Sequence, residues 1–237
     1  MILRPIERDL INERKLTGTA LVLGHVRSVL EVYCAADDWY AAGTVNSIYF
    51  DTPGLSAYRE TENGDNVKSK VRLRWYGTPS ELPAAVPAFI EVKDRFGGAR
   101  RKSHQEIIVP RNLLLDAPFN GWEFADFFFD CSDRLGLPLS RELIPVCCIS
   151  YNRRRYFDTP TRSRVAIDWD IRAERFNRTL FPWAVPVRLK ALVCEFKNSD
   201  GLPPEWLSLM MSAGLRLDHF SKYGECVSHL LSEGIPP

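Results

Sequence analysis

Hydrophobic and polar residues alternate with a period of two along much of this chain. In "SKVRLRWYG", Val71, Leu73 and Trp75 stand on one side and Lys70, Arg72 and Arg74 on the other. In "AFIEVKDRF", Ile90, Val92 and Asp94 oppose Glu91, Lys93 and Arg95. "SRVAIDWDI" sets Val165, Ile167, Trp169 and Ile171 against Arg164, Ala166, Asp168 and Asp170, and "ALVCEFKN" sets Cys194 and Phe196 against Val193, Glu195 and Lys197. "TVNSIYFD", "SHQEIIVP" and "IPVCCISYNRRRYF" read the same way, and "ERDLINERKL" adds a further strand. Successive side chains of a strand point to opposite faces, so each segment predicts a strand with two unlike sides. They amount to about eight strands, a number at which an antiparallel sheet closes into a small barrel.

Helical spacing is rarer. "TALVLGHVRSVLEVYCAADDW" is apolar at that period, and "GWEFADFFFDCSDRLG" predicts an amphipathic helix stopped by Gly136 and Pro138. "LPPEWLSLMMSAG" has Pro near its first turn and Gly at its end, and "HFSKYGECVSHLLSEG" predicts a last short helix. "PSELPAAVP" (79–87) reads as a loop between strands, "RFGGARRK" as a hairpin turn and the terminal "GIPP" as disordered. With no Pro/Gly/Ser linker dividing it, the chain reads as one domain over residues 1–237, of α+β class and mainly β.

Composition narrows this further. The chain is 45% hydrophobic and 26% charged with a net charge of +1, so no overall field draws it to nucleic acid or membrane. Basic residues instead cluster: residues 68–111 hold ten Lys or Arg against four Asp or Glu, and "RRRYFDTPTRSR" holds five Arg against one Asp. No stretch approaches the ~18 apolar residues of a membrane span, and "MILRPIERDL" lacks the apolar core of a signal peptide. The six cysteines form no Cys-x-x-Cys, which reads as reduced, mostly buried thiols in a cytoplasmic protein.

A single charged strand face ordinarily turns to water. Here such faces recur on strand after strand and are rich in Arg and Lys, while the opposite faces carry Trp75, Phe96, Trp169 and Phe196. A barrel that satisfies both faces points its charges inward. Like charges repel in such an interior unless it is wet and receives a polyanion. Phosphate chains fit, because each oxygen takes a charge-assisted bond from Arg or Lys, and the carboxylates on the same faces can hold a divalent cation against them. The aromatics stand opposite the basic residues more than among them, so nucleic acid is not the expected partner. No phosphate-binding Gly-x-x-x-x-Gly-Lys-[Ser/Thr] loop, Gly-x-Gly-x-x-Gly turn or Gly-x-Ser-x-Gly elbow is present.

The pentapeptide "YFDTP" occurs twice, at 49–53 and 156–160, each time ahead of an Arg-x-Arg and then a Glu-x-Lys. Asp and Thr bond local backbone and Pro stops a strand ladder, so Asp51 and Asp158 read as strand-end residues and not as catalysts. The unequal spacings to the following Arg-x-Arg speak against a tandem duplication. Two barrel portions, each sending an Arg-x-Arg strand and a Glu-x-Lys strand into one tunnel, fit better.

The ordered set "SIYFDTPGLSAY", "KVRLRWYG", "IEVKDR", "YNRRRYF", "RVAIDWD", "LVCEFK" and "HFSKYG" resembles the VTC domain, the polyphosphate polymerase domain of the vacuolar transporter chaperone family, within the CYTH-like triphosphate tunnel metalloenzymes. The resemblance implies an eight-stranded antiparallel β-barrel tunnel with a charged interior, flanked by a few helices. It implies use of ATP or another triphosphate with Mn or Mg, and transfer to phosphate or polyphosphate. By the same resemblance the tunnel cations fall on Lys15, Arg72, Arg74, Lys93, Arg153 and Arg164, with Lys102 (or Arg101, if the turn is shifted) on a further strand. Lys222 falls at the C-terminal basic position, Tyr151 at a tunnel tyrosine and Glu195 at the metal-binding glutamate. Lys70 and Lys197 join the phosphate-binding set by sharing faces with Arg72 and Glu195, and Glu13 and Glu91 join Glu195 as metal candidates. Glu225 stands where the resemblance leads one to expect a second basic residue. The expected reaction is metal-assisted phosphoryl transfer of the polymerase kind. A triphosphatase of the same fold and a non-catalytic polyphosphate-binding module are the alternatives.

Overall fold

The structure, a computed structural model, describes residues 12–38, 40–97, 99–198 and 202–232. The expected beginning of the first strand, before Asn12, and the "GIPP" tail lie outside the described residues. The eight strands expected from alternation are all present: β1 (Asn12–Thr19), β3 (Ala42–Asp51), β4 (Val67–Tyr76), β5 (Ala85–Phe96), β6 (Ala99–Pro110), β7 (Ile144–Asp158), β8 (Ser163–Phe176) and β10 (Ala191–Asn198). Three short strands join them, β2 (Ala35–Ala36), β9 (Val187–Leu189) and β11 (Arg216–Leu217), each too brief to show a period.

The strand order is β11-β1-β10-β8-β7-β3-β4-β5-β6, with β2 on β7 and β9 on β8, and β1–β10, β1–β11, β8–β10, β2–β7, β3–β4, β4–β5, β5–β6 and β8–β9 pair antiparallel. The expected closed, eight-stranded barrel is therefore corrected: among the described residues the sheet has 11 strands, and no pairing joins β6 to β11. A barrel is expected from the number of alternating strands, from their charged faces and from the family resemblance. Counter-charges on the strands meet part of this charge without a closed interior: Glu91 lies against Arg72 and Arg74, Asp168 against Arg153, and Glu195 and Glu13 against Lys197.

Contacts gather the chain into two compact units, each discontinuous in sequence, with β7 and β8 divided between them. One unit comprises residues 1–42, 153–169 and 190–220. Its core joins Leu16 of β1, Val165 and Ile167 of β8, and Cys194 and Phe196 of β10 to Val26 and Leu30 of α1 (Leu23–Tyr33) and Met210 of α5 (Leu207–Ser212). Trp206 closes edge-on over Phe196, with ring centroids 5.3 Å apart.

The other unit comprises residues 43–152, 170–189 and 221–237. Its core takes Ile48 and Phe50 from β3, Val71, Leu73 and Trp75 from β4, and Val86, Ala88 and Ile90 from β5. The expected amphipathic helix α4 (Trp122–Arg134) covers them with Phe124, Phe128 and Phe129, and Phe128 stacks on Phe50 at 3.9 Å. Gly136 follows at φ +65, a conformation open to Gly at little cost, and ends the helix as expected. Phe96, expected in a packed environment, is 59% exposed, because it stands at the hairpin end of β5 beyond the core.

Two helices of this unit were not foreseen: α2 (Ser56–Glu62) and α3 (Arg111–Leu115). Both are too short for a helical period to be visible. The first "YFDTP" builds α2. The buried Asp51 carboxylate accepts from the backbone N–H groups of Ala57 (2.9 Å) and Tyr58 (3.0 Å), satisfying donors that a helix start leaves open. It also takes the Tyr223 hydroxyl at 2.7 Å, which fastens α6 (Lys222–Ser232) to the end of β3. In the second copy, Asp158 accepts from Thr161 within the turn. Both aspartates serve local structure, as expected.

Candidate functional site

Alternation along β4 puts Arg72 and Arg74 on the side away from Val71, Leu73 and Trp75. Register then fixes their neighbours: Arg72 stands between Tyr49 of β3 and Glu91 of β5, and Arg74 between Ser47 and Phe89. Arg72 donates from Nε to Glu91 Oε2 at 2.6 Å and from a terminal nitrogen to the Tyr49 hydroxyl at 3.0 Å. Arg74 donates from Nε to Ser47 Oγ at 3.1 Å and from a terminal nitrogen to the Tyr151 hydroxyl at 3.3 Å. Its other terminal nitrogen lies 3.7 Å from Glu91 Oε2. His104 Nδ1 is 3.0 Å from Glu91 Oε1.

Glu91 is 3% exposed and Arg74 7%. Burial by itself would raise the Glu91 carboxyl, but the charges of Arg72 and Arg74 outweigh it and hold the group well below the usual carboxylate range. One carboxylate shared by two guanidinium groups leaves positive charge in a desolvated place, a setting in which an anion binds strongly.

Helix α6 brings further residues to this cluster. Tyr223 stacks on Tyr49 with centroids 5.0 Å apart and planes at 17°. The Lys222 ammonium lies 4.7 Å from the centre of the Tyr151 ring, and Lys70 donates to Ser221 Oγ at 3.2 Å. Arg72, Arg74, Lys70, Tyr151 and Lys222 thus gather in one place. Lys93 and Lys102 extend it: Lys70, Lys93 and Lys102 are directly opposite one another across β4, β5 and β6. The same register sets Arg101 opposite Asp94 on the other side of the strands, so Lys102 is the residue that shares the face of Lys93.

The first-named unit carries a second charged cluster. Glu13 and Lys15 of β1 stand opposite Lys197 and Glu195 of β10. Lys197 Nζ is 3.1 Å from Glu195 and 3.6 Å from Glu13, and Lys15 Nζ is 3.8 Å from Glu13 and donates to the Phe220 carbonyl at 3.0 Å. Burial would lower the Lys197 ammonium, but Glu195 and Glu13 together raise it above its ordinary value. Arg153 forms a two-point bond to the fully buried Asp168, at 2.6 and 2.7 Å, so Asp168 anchors an arginine. Arg164 is exposed and lines a groove with Ala35, Ala36, Asp37, Asp38 and Phe157.

The carboxylates divide into two kinds. Glu195 and Glu13 are partly exposed and share one lysine, a donor set suited to a hard cation such as Mg or Mn. These ions take one or two protein carboxylates and fill their remaining positions with phosphate oxygens and water. Among the described residues no group of three or more His, Cys, Asp or Glu side chains is placed to hold a metal ion. Glu91 lies in the other unit, and its two oxygens face Arg72, Arg74 and His104. Its partners make it a holder of arginines, which does not fit the metal role expected from sequence.

Ser47, Tyr49, Phe89 and His104 escaped the sequence reading. Tyr49 and Ser47 follow from alternation on β3 once β3 is known to pair with β4. His104 lies two residues from Lys102 and was legible as a neighbour on the same face.

These features define a mainly β protein whose antiparallel strands present arginine, lysine and glutamate on faces turned away from the apolar cores. The chain belongs to the VTC domain family, which matches residues 14–111 and 136–231. No curated protein sequence matches it. Among solved structures, it is similar to a candidate adenylate cyclase of Bacillus halodurans, with 12% identity, a TM-score of 0.49, and coverage of 88% of this chain and 92% of that one. A candidate adenylate cyclase of Vibrio parahaemolyticus is 14% identical with a TM-score of 0.47, covering 91% and 97%. A Pyrococcus horikoshii protein is 12% identical with a TM-score of 0.41, covering 91% and 99%. At these values the likenesses carry no functional information. No helix among the described residues is long and apolar enough to cross a membrane.

Proposed function

We propose that this chain transfers a phosphoryl group from a nucleoside triphosphate, ATP in the first place, to phosphate or a growing polyphosphate chain, with Mg or Mn as the metal. The observation that carries this reading is the pair of guanidinium groups, Arg72 and Arg74, which share a single buried carboxylate on a strand face away from the core. Family membership agrees with it.

In this reading Arg72 and Arg74 bind the oxygens of the phosphoryl group. Tyr49, Ser47, Tyr151 and Glu91 hold the guanidinium planes before substrate arrives, so little reorganisation accompanies the reaction. Lys70, Lys93, Lys102 and Lys222 supply further charge to the phosphate chain. Lys15, Arg153, Arg164 and Lys197 remain phosphate-binding candidates on the sequence pattern alone. Glu195 and Glu13 would hold a divalent cation, which would supply charge neutralisation to phosphate oxygens. No covalent nucleophile is needed.

The test is incubation with ATP and Mn or Mg, measuring polyphosphate and free phosphate as separate products. Polyphosphate is the expected product, and Arg74→Ala lowers kcat/KM about a hundredfold, the scale of losing one preorganised donor. Glu195→Gln lowers activity similarly and raises the metal concentration required. Free phosphate alone would assign a triphosphatase, with water as acceptor. Tight polyphosphate binding with no turnover would assign a binding module.

A further inference from the structure

The face of β4, β5 and β6 that carries Arg72 and Arg74 is graded along the strands. Lys70, Lys93 and Lys102 form one line across it, and Lys68 and Arg95 are paired one rung further on. Toward the other end the character changes. Phe89 is opposite Arg74, and the His104 ring stacks on it with centroids 4.5 Å apart and planes at 14°. Tyr76, two residues beyond Arg74, meets Phe89 edge-on at 6.2 Å. The three rings form a ladder whose outer members stay open: Tyr76 is 42% exposed and the His104 side chain 43%.

The apolar core does not require this ladder, because it stands on the opposite side of the strands from Trp75, Ala88 and Ile90. The imidazole is also held in place, since its Nδ1 lies 3.0 Å from the carboxylate that holds Arg72. An exposed aromatic plane of fixed orientation is the feature on which a base stacks, because every base offers a π-face. Two strand spacings, about 9.5 Å, separate the strand of Arg72 from that of His104. A ribose and its first phosphate bridge such a gap.

We infer that the Tyr76–Phe89–His104 ladder receives the base of the nucleotide, so that the phosphates run from there past Arg74 and Arg72 toward the lysine line. This rests on the phosphate reading above, and it adds a direction for the substrate and a reason to prefer a nucleotide over a bare phosphate chain.

The test compares MgATP with magnesium tripolyphosphate, which has the phosphates and no base, by calorimetric titration. His104→Gln keeps a hydrogen-bonding group for Glu91 and removes the ring, whereas His104→Phe keeps a ring. His104→Gln should raise the Kd for ATP about fivefold or more and leave that for tripolyphosphate within about twofold. His104→Phe should restore ATP binding toward the wild-type value. Tyr76→Leu, at an exposed position, repeats the selective loss should both His104 variants fail to fold. Equal losses for both ligands, or no loss for ATP, would overturn the inference. A wild-type chain that binds tripolyphosphate but not ATP overturns the ladder and leaves the phosphate reading standing. A chain that binds neither overturns both.

Discussion

Glu91 shows how far a residue's role depends on its neighbours. In the sequence it is one of three Glu-x-Lys glutamates and looks equivalent to Glu195. In the fold Glu195 is partly exposed and meets a lysine, while Glu91 is buried beneath two arginines. Glu91→Gln would leave both guanidinium groups without their counter-charge, and should destabilise the fold by about 3 kcal/mol at pH 7 in urea unfolding. The sign with pH follows from its depressed ionisation. The stabilisation is complete above the ordinary carboxyl value of 4.5 and fades as pH falls below it. The gap between wild type and Glu91→Gln should therefore close in acid. A gap that stays constant from pH 7 to pH 3 would remove Glu91 from this role.

Among the elements, the long strands were legible because period-two alternation is a local property that burial of one face enforces. The short helix α2 was not, since its start depends on a carboxylate whose partners come from two directions. Asp51 accepts from the first turn of α2 and from Tyr223 of α6, 172 residues away. Asp51→Ala should lower stability by about 2 kcal/mol, through lost capping and a stranded hydroxyl. Tyr223→Phe should cost about 1 kcal/mol, and the double variant should cost less than the sum of the two. Strict additivity in a double-mutant cycle would mean that α6 is not fastened through this bond. Because α6 begins with Lys222 beside Tyr151, Tyr223→Phe should also weaken tripolyphosphate binding measurably.

Over the whole molecule, the cysteines follow the expectation of buried thiols. Five of the six are buried and Cys131 is partly so, and all are free. Burial pushes Cys148 up to about 11 and Cys34 and Cys226 up to about 12, so the reactive thiolate is scarce at neutral pH. Native protein at pH 7.5 should react with a thiol reagent at Cys131 first and slowly elsewhere, while unfolded protein exposes all six. Fast labelling of several thiols in the native state would contradict these cores.

Read alone, the chain already carries its mainly β class, its eight long strands and the sides on which their charges fall. Those features follow from residue type and period, which act over a few neighbouring positions. The folded arrangement adds what register and packing establish between distant segments. It leaves the strand pairing open, pairs Arg72 with a carboxylate 19 residues on, binds Arg153 to Asp168, and sets Glu91 against Arg72, Arg74 and His104. Alternation says which way a side chain points, but the partner it meets there depends on which strand lies alongside and at what register.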